Sequence, residues 1–242
     1  MSPEGLRPLL QRLHRLQAAD TRHRLARGRD AAALARLLAA AGRRAGAGIA
    51  AAETILPPPA PVACGPACPF CCHVPVTAAV AEVIIIARHL DPTLAPEARR
   101  RLARRLANLT AAGAGLDGDA RSRQRLPCPL LDGASCRVHP LRPLVCRAVA
   151  SVEVAACRAA HASHMVEGVP QVRAHLLAVN AVAAGLEAGL AEAGLGGDID
   201  LALGLAVCLL DPGAATAWLA GEPSPLADLA RPPQLVAPQL DG

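Results

Sequence analysis

Tyrosine and lysine are missing from this 242-residue chain, and Phe70 and Trp218 are its only Phe or Trp, although 52% of its residues are hydrophobic. The core must therefore be assembled from Ala, Leu and Val. Such side chains favour closely packed helices and supply little for a sheet. The scarcity of aromatics also removes the platforms on which bases stack, which argues against a nucleic-acid role. All 25 basic residues are Arg; biased coding accounts for this, so Arg alone is not read as phosphate recognition. Long apolar runs are missing too. The longest, around Val83–Ala87 and Leu201–Leu210, fall short of the roughly 20 residues that span a bilayer. Met1–Gln11 has no apolar stretch of signal-peptide length. The expectation is a cytoplasmic protein with no membrane partner, whose thiols stay reduced.

Charge is present but polarised. The net +5 combines a basic start, with ten Arg against Glu4, Asp20 and Asp30 in residues 1–44, and an acidic end, with Arg231 against eight acids in residues 174–242. Two solvated faces that attract one another in the fold are the favoured reading. A basic face for nucleic acid is the sharper and weaker one.

Helical periodicity dominates the chain. Leu6, Leu9, Leu10, Leu13 and Leu16 share one face opposite Arg7, Arg12 and Arg15. Asp30 is placed to cap a second helix running toward Ile55, with Gly42, Gly46 and Gly48 weakening its middle. Pro57-Pro58-Pro59 ends it. Thr77 is read as the cap of a helix to Leu90, Pro96 as the start of another with Leu102, Leu106 and Leu109 on its stripe, and 113–124 as a loop. Val172, Leu176, Val179, Leu186 and Leu190 mark a long helix; 199–210 reads as a buried helix, and Asp211-Pro212 as the cap of a short helix bearing Trp218. The fold class expected is all-α, with irregular cysteine-rich loops pinned by metal. Its parts are basic helices (1–56), a cysteine-rich metal-binding domain (57–160), helices packed on it (161–222) and a tail (223–242).

Eight of the nine cysteines lie between Cys64 and Cys157. The first block is Cys64, Cys68, Cys71 and Cys72; the second is Cys128, Cys136 and Cys146, with Cys157 beyond. Thiolates spaced two or three residues apart can converge on a soft metal ion, and thiolate-only ligation suits zinc and iron–sulfur clusters alike. Eight thiols exceed the four that one centre needs, so some are spare, outer, or part of a second site. Arg142 and Arg147 flank Cys146 and can offset thiolate charge. Cys208, in an apolar run, reads as an inert core thiol. His73 is as suited to solvent as to metal, and His161 and His164 read as solvent histidines. No Ser-His-Asp set, phosphate-cradling Gly loop or Glu-containing His pair occurs.

The C-x3-C-x2-C spacing also opens the iron–sulfur site of radical S-adenosylmethionine enzymes, but those need a β/α barrel that this chain has no strands to build. The two blocks together resemble the YkgJ-like cysteine-cluster family, of C-x3-C-x2-C-C type. The first block matches at Cys64, Cys68, Cys71 and Cys72. The second matches at Cys128-Pro129-Leu130-Leu131, Cys136-Arg137-Val138-His139, Arg142-Pro143 and Cys146-Arg147, with Cys157 in the place of a further common cysteine. His139 stands where Tyr is usual, and Val80 where an acid is expected. The resemblance spans 64–157 and implies chelation of zinc or iron, the metal being the one partner expected. Flagellin lysine methylases carry a similar cluster. An iron–sulfur redox or methyl-transfer enzyme is therefore the first alternative, and a metal-stabilised interaction module using the basic N-terminal face the second.

Overall fold

The computed structural model describes residues 5–65 and 67–231, and over these the chain is mostly helical. Helices α1 (Leu6–Arg27) and α2 (Ala31–Ile55) form a hairpin. After the proline segment come strand β1 (Thr77–Ala79) and helices α3 (Val80–Leu90), α4 (Pro96–Ala112) and α5 (Gly118–Arg123). A short hairpin of β2 (Leu131–Asp132) and β3 (Ser135–Cys136) leads to α6 (Leu144–Ala148) and α7 (Val154–Ala162). The chain then runs through α8 (Arg173–Glu192), β4 (Asp198–Asp200), α9 (Leu201–Leu210), α10 (Ala214–Ala220) and α11 (Pro225–Leu229).

Small residues let these helices approach closely. Helix α8 lies across α1 and α2. A Cβ on Gly185 would come within 2.4 Å of the His14 carbonyl oxygen, and one on Gly189 within 2.5 Å of the Thr21 Cβ. On α2, a Cβ at Gly48 would meet Leu13 at 2.9 Å. Gly185 and Gly189 are sites where α8 comes against the backbone of α1, and Gly48 admits the Leu13 side chain. The Asp30 carboxylate accepts the Ala33 N–H at 2.7 Å and caps α2 as the sequence indicates. The α1 face departs from the reading of a leucine stripe. Leu16 is 48% exposed, and the buried row continues through Gln17 and Thr21. Those two polar side chains are satisfied locally: the Gln17 amide donates to Thr21 Oγ1 at 3.0 Å, Thr21 Oγ1 donates to the Gln17 backbone carbonyl at 2.9 Å, and Gln17 Oε1 accepts from Arg44.

Helix α8 has the length and mean hydropathy (1.4) to cross a membrane, but more than half of it is buried within the fold. One continuous apolar core joins α1, α2 and α8 to α3, α6 and α9.

Four local readings are corrected. Thr77 does not cap a helix: Thr77–Ala79 pairs antiparallel with Asp198–Asp200, and α3 begins at Val80. The partner strand lies about 120 residues downstream, beyond the reach of local pattern. For the same reason the buried helix expected over 199–210 starts only at Leu201, where Asp200 Oδ1 accepts the Leu203 N–H at 3.0 Å. The loop at 113–124 contains α5, capped by Asp117 accepting from Ala120 N–H at 2.7 Å. The expected C-terminal tail begins with an ordered helix, α11, whose Leu226 is fully buried, and Arg231 bridges to Asp198; its residues 232–242 lie outside those described.

Candidate metal centre

Two hydrogen-bonded junctions assemble the cysteine segment. At the first, the Cys128 N–H donates to the Cys72 carbonyl at 2.7 Å, which joins the two blocks although fifty-five residues separate them. The β2–β3 hairpin follows immediately. It pairs Cys136 with Leu131, and the Arg137 N–H donates to the Leu130 carbonyl at 2.9 Å. The thiols of Cys72, Cys128, Cys136 and Cys146 lie within electrostatic reach of one another.

At the second junction, the Ala63 N–H donates to the Ser151 carbonyl at 2.9 Å, and Cys64 Sγ accepts the Ser151 N–H at 3.2 Å. The Ser151 hydroxyl hydrogen-bonds to Cys157, and Cys157 is in turn influenced by Cys64, Cys68 and Cys71. Helix α7, which carries Cys157, packs against the tight 3-10 turn Phe70–His73 that carries Cys71 and Cys72. All nine cysteines are free thiols.

The electrostatics follow from this crowding. Cys71 and Cys72 hydrogen-bond through sulfur, which pushes Cys71 well above an ordinary thiol and holds Cys72 below one. Burial, then the neighbouring Cys128 and Glu82, drives Cys146 upward, and burial does the same to Cys128 and Cys157. The segment therefore gathers groups that resist ionising together unless cations accompany them. Arg142 is one such cation, lowering Cys71, and its Nε is buried among the described residues with no hydrogen-bond partner. A buried N–H donor without an acceptor beside several thiols fits a thiolate-bound cation, whose sulfurs keep accepting capacity. Among the described residues, no three Cys, His, Asp or Glu side chains are already closed around one point.

Arg147 does more structural work than its position after Cys146 indicates. Its Nε donates to the Arg142 carbonyl at 3.1 Å and its Nη2 to the Pro140 carbonyl at 2.6 Å. The guanidinium carbon lies 3.6 Å from where a Gly42 Cβ would sit. Arg147 thus packs on α2 at van der Waals distance from Gly42. Arg142 also hydrogen-bonds His139 Nε2, the residue in the usual Tyr position.

Three residues escaped the sequence reading. Glu82 is half-buried on α3: Oε1 accepts the Leu144 N–H at 2.8 Å at the start of α6, and Oε2 accepts the Ala79 N–H at 3.3 Å. Burial raises its carboxyl to about 7. It supplies the acid missing at Val80, two residues later, and an acid in a helix's first turn is a readable signal. Ser151 had no signal, since its role is to hold Cys64 and Cys157. Arg105 of α4 donates to the Cys128 carbonyl at 3.3 Å. His161 is a further correction. Its ring, still partly exposed, lies edge-on to His73, centroids 4.6 Å apart, and to Phe70 at 5.9 Å, so it packs on the turn that carries Cys71 and Cys72. His164 follows the end of α7 at φ 57 and shares no helix face with it. Cys208 is pushed up to about 12 by burial, as an inert core thiol should be.

A narrow cleft adjoins Cys128. Val74, Pro75, Leu126 and Pro129 form its apolar wall, and His73 and the Arg121–Asp200 ion pair, at 2.5 Å, its polar side.

No curated protein and no solved structure matches the chain. A family model does match residues 63–167; its description reads "CxxCxxCC: Putative zinc- or iron-chelating domain". The match begins beside Cys64 and runs past Cys157, so it encloses both junctions and all eight clustered thiols. The segment that carries the candidate centre is therefore similar to this cysteine-cluster family over rather less than half of the chain.

Proposed function

We propose that the protein holds zinc or iron through the thiols of Cys64, Cys68, Cys71, Cys72, Cys128, Cys136, Cys146 and Cys157. The observation that supports this best is the Cys72–Cys128 junction, which draws two distant cysteine blocks into one neighbourhood. A donor set made only of thiols suits soft cations. Zinc would serve there as a cross-link, whereas an iron–sulfur cluster would add electron transfer.

The chain's own residues do the rest. Cys72, held low by its neighbour, offers the readiest thiolate. Arg142 and Arg147 offset the charge that accumulates when several thiols ionise, and Glu82 fixes the start of the helix that carries Cys146. A reducing compartment such as the cytoplasm keeps nine free thiols available. An iron–sulfur redox or methyl-transfer role is the second reading. It draws on the cleft beside Cys128, where a small substrate would lie against the cluster.

Elemental analysis of protein purified without oxygen tests the proposal. Zinc or iron at or above one per chain, lost on substitution of Cys146, is the expected result. A brown preparation selects the iron–sulfur reading and a colourless, zinc-loaded one the first. Metal-free protein that stays folded and takes up neither metal rejects both.

A further inference from the structure

Helix α4 covers the core with one face only. Ala103 and Leu106 are buried, and the helix packs on α9. Its other side carries Arg101, Arg104, Arg105 and Asn108, spaced i, i+3, i+4 and i+7, so the four share one face. They line an open groove with an apolar floor, made by Leu109 of the same helix and Leu126 from the segment leading to Cys128. Among the described residues no acid lines this groove.

The charge on this side of α4 is unbalanced. Glu97 lies 2.8 Å from Arg100, 3.6 Å from Arg101 and 3.8 Å from Arg104, so one carboxylate is shared by three guanidiniums. Arg105 donates to the neutral Cys128 carbonyl at 3.3 Å. Arg100 and Arg104, and Arg101 and Arg105, are like-charged pairs four residues apart, an arrangement that destabilises a helix. An anionic partner spanning these arginines relieves that repulsion. Arg101 and Arg104 are 63% and 68% exposed, which leaves them free to meet one.

We propose that this groove docks an acidic polypeptide segment of a partner protein, one carrying spaced carboxylates and an apolar side chain. Spacing decides the ligand class. Arg101 and Asn108 are about 10 Å apart along the helix axis, a span that about three residues of extended chain cover with separate carboxylates. A lone phosphate is held by donors that converge on it, whereas these fan out along a helix. The apolar floor suits a Leu or Val side chain, which a nucleic-acid backbone does not offer, and no aromatic ring lines the groove for bases to stack on. Leu109 and Leu126 also wall the cleft beside Cys128, so a segment seated here lies at the edge of the cysteine blocks. Charge complementarity of this kind sets partner choice and the rate of encounter.

The probe is a fluorescein-labelled peptide, Glu-Asp-Leu-Glu-Asp-Leu-Glu, titrated by anisotropy with the full chain as purified. It should bind, and weaken several-fold as salt rises from about 0.05 to about 0.3 M. Arg101→Glu combined with Arg104→Glu should lower the affinity at least about ten-fold. The charge-matched pair Arg12→Glu with Arg15→Glu, on the exposed side of α1, should change it by less than about two-fold. A peptide with Gln and Asn in place of the acids should not bind, and one with Ser in place of Leu should bind several-fold more weakly. Those peptide comparisons need no variant. Equal losses in the two double variants would reduce the effect to net charge and overturn the proposal. Tighter binding of an oligothymidylate of equal charge would overturn it in favour of nucleic acid. A dimer in sedimentation that the Arg101 and Arg104 substitutions abolish would overturn it in favour of a second copy of this chain. No binding of the acidic peptide at the lower salt would overturn it outright.

Discussion

Arg147 shows how one side chain ties the cysteine segment to the helices beneath it. Its guanidinium holds the Pro140 and Arg142 carbonyls and rests on Gly42 of α2. Arg147→Ala should weaken metal retention by roughly 10- to 100-fold, the usual loss when an outer partner of a metal site is removed. Arg147→Lys should recover only part, because an ammonium keeps the charge but not the fork that reaches two carbonyls. Competition with a chromophoric chelator measures both, and wild-type retention in the Ala variant would make Arg147 a bystander. Cys146→Ser should release metal while Cys208→Ser retains it, since a hydroxyl is a poor ligand for soft ions. Equal metal content in wild type and Cys146→Ser would remove that thiol from the centre. At this scale the sequence was informative wherever chemistry follows from residue type. Cysteine spacing named all eight clustered thiols, and an apolar context identified Cys208. It was silent on Ser151 and misread His161, because what each does depends on a neighbour brought in by the fold.

The elements were legible where their signals are local. Asp30 marks the start of α2, and proline marks its end. The β1–β4 pair was not legible, because Thr77–Ala79 becomes a strand only through Asp198–Asp200. Glycines in helices carried an ambiguous signal that the packing resolves. A Cβ at Gly185 would meet a backbone oxygen of α1 at 2.4 Å, whereas one at Gly46 would meet nothing within 4 Å. Gly46→Ala should therefore stabilise by about 0.5–1 kcal/mol through helix propensity alone. In Gly185→Ala the same gain is outweighed by separation of two helices, for a net loss of about 1–3 kcal/mol. Urea unfolding of the two variants reads the contrast, and the same shift in both would refute it. Helix α8 also carries Glu187, whose Oε1 accepts the Gly197 N–H at 2.6 Å while Oε2 has no partner among the described residues. Burial first, then Asp198 opposite, raises the Glu187 carboxyl, and burial raises Asp198. A raised acid stabilises the fold while protonated, and that contribution is lost as pH climbs from the ordinary carboxylate range through the folded value. Glu187→Gln keeps the bond to Gly197 and should flatten this decline. Melting temperatures of wild type and variant across that range test it, and parallel curves would count against it.

Among the described residues, the opposite charges of the two ends meet in one ion pair, Arg22 of α1 with Glu192 of α8 at 2.8 Å. Both side chains are about half exposed, so this pair adds little stability, and the apolar α1–α2–α8 contact holds the ends together. That contact contains no cysteine. Helices α1, α2 and α8 supply 22, 25 and 20 residues from outside the cysteine blocks. The segment between Leu56 and α8 is different: its hairpin has two-residue strands, and α5 and α6 are helices of six and five residues. Elements that short are marginal without cross-links. Metal should therefore contribute local rather than global stability, unlike small zinc domains that unfold outright when stripped. After chelation the far-ultraviolet circular dichroism should keep most of its helical signal. Trypsin, which has only arginines to cut here, should gain access to Arg125 and Arg147, both half-buried in the fold. The Arg27–Arg29 link between α1 and α2 should be cut alike in both states. Mass mapping of the fragments decides the matter. Identical cleavage at Arg125 and Arg147 with and without metal would mean that the cysteine segment is held by packing alone, and a loss of most helical signal would mean that the three-helix core depends on the metal.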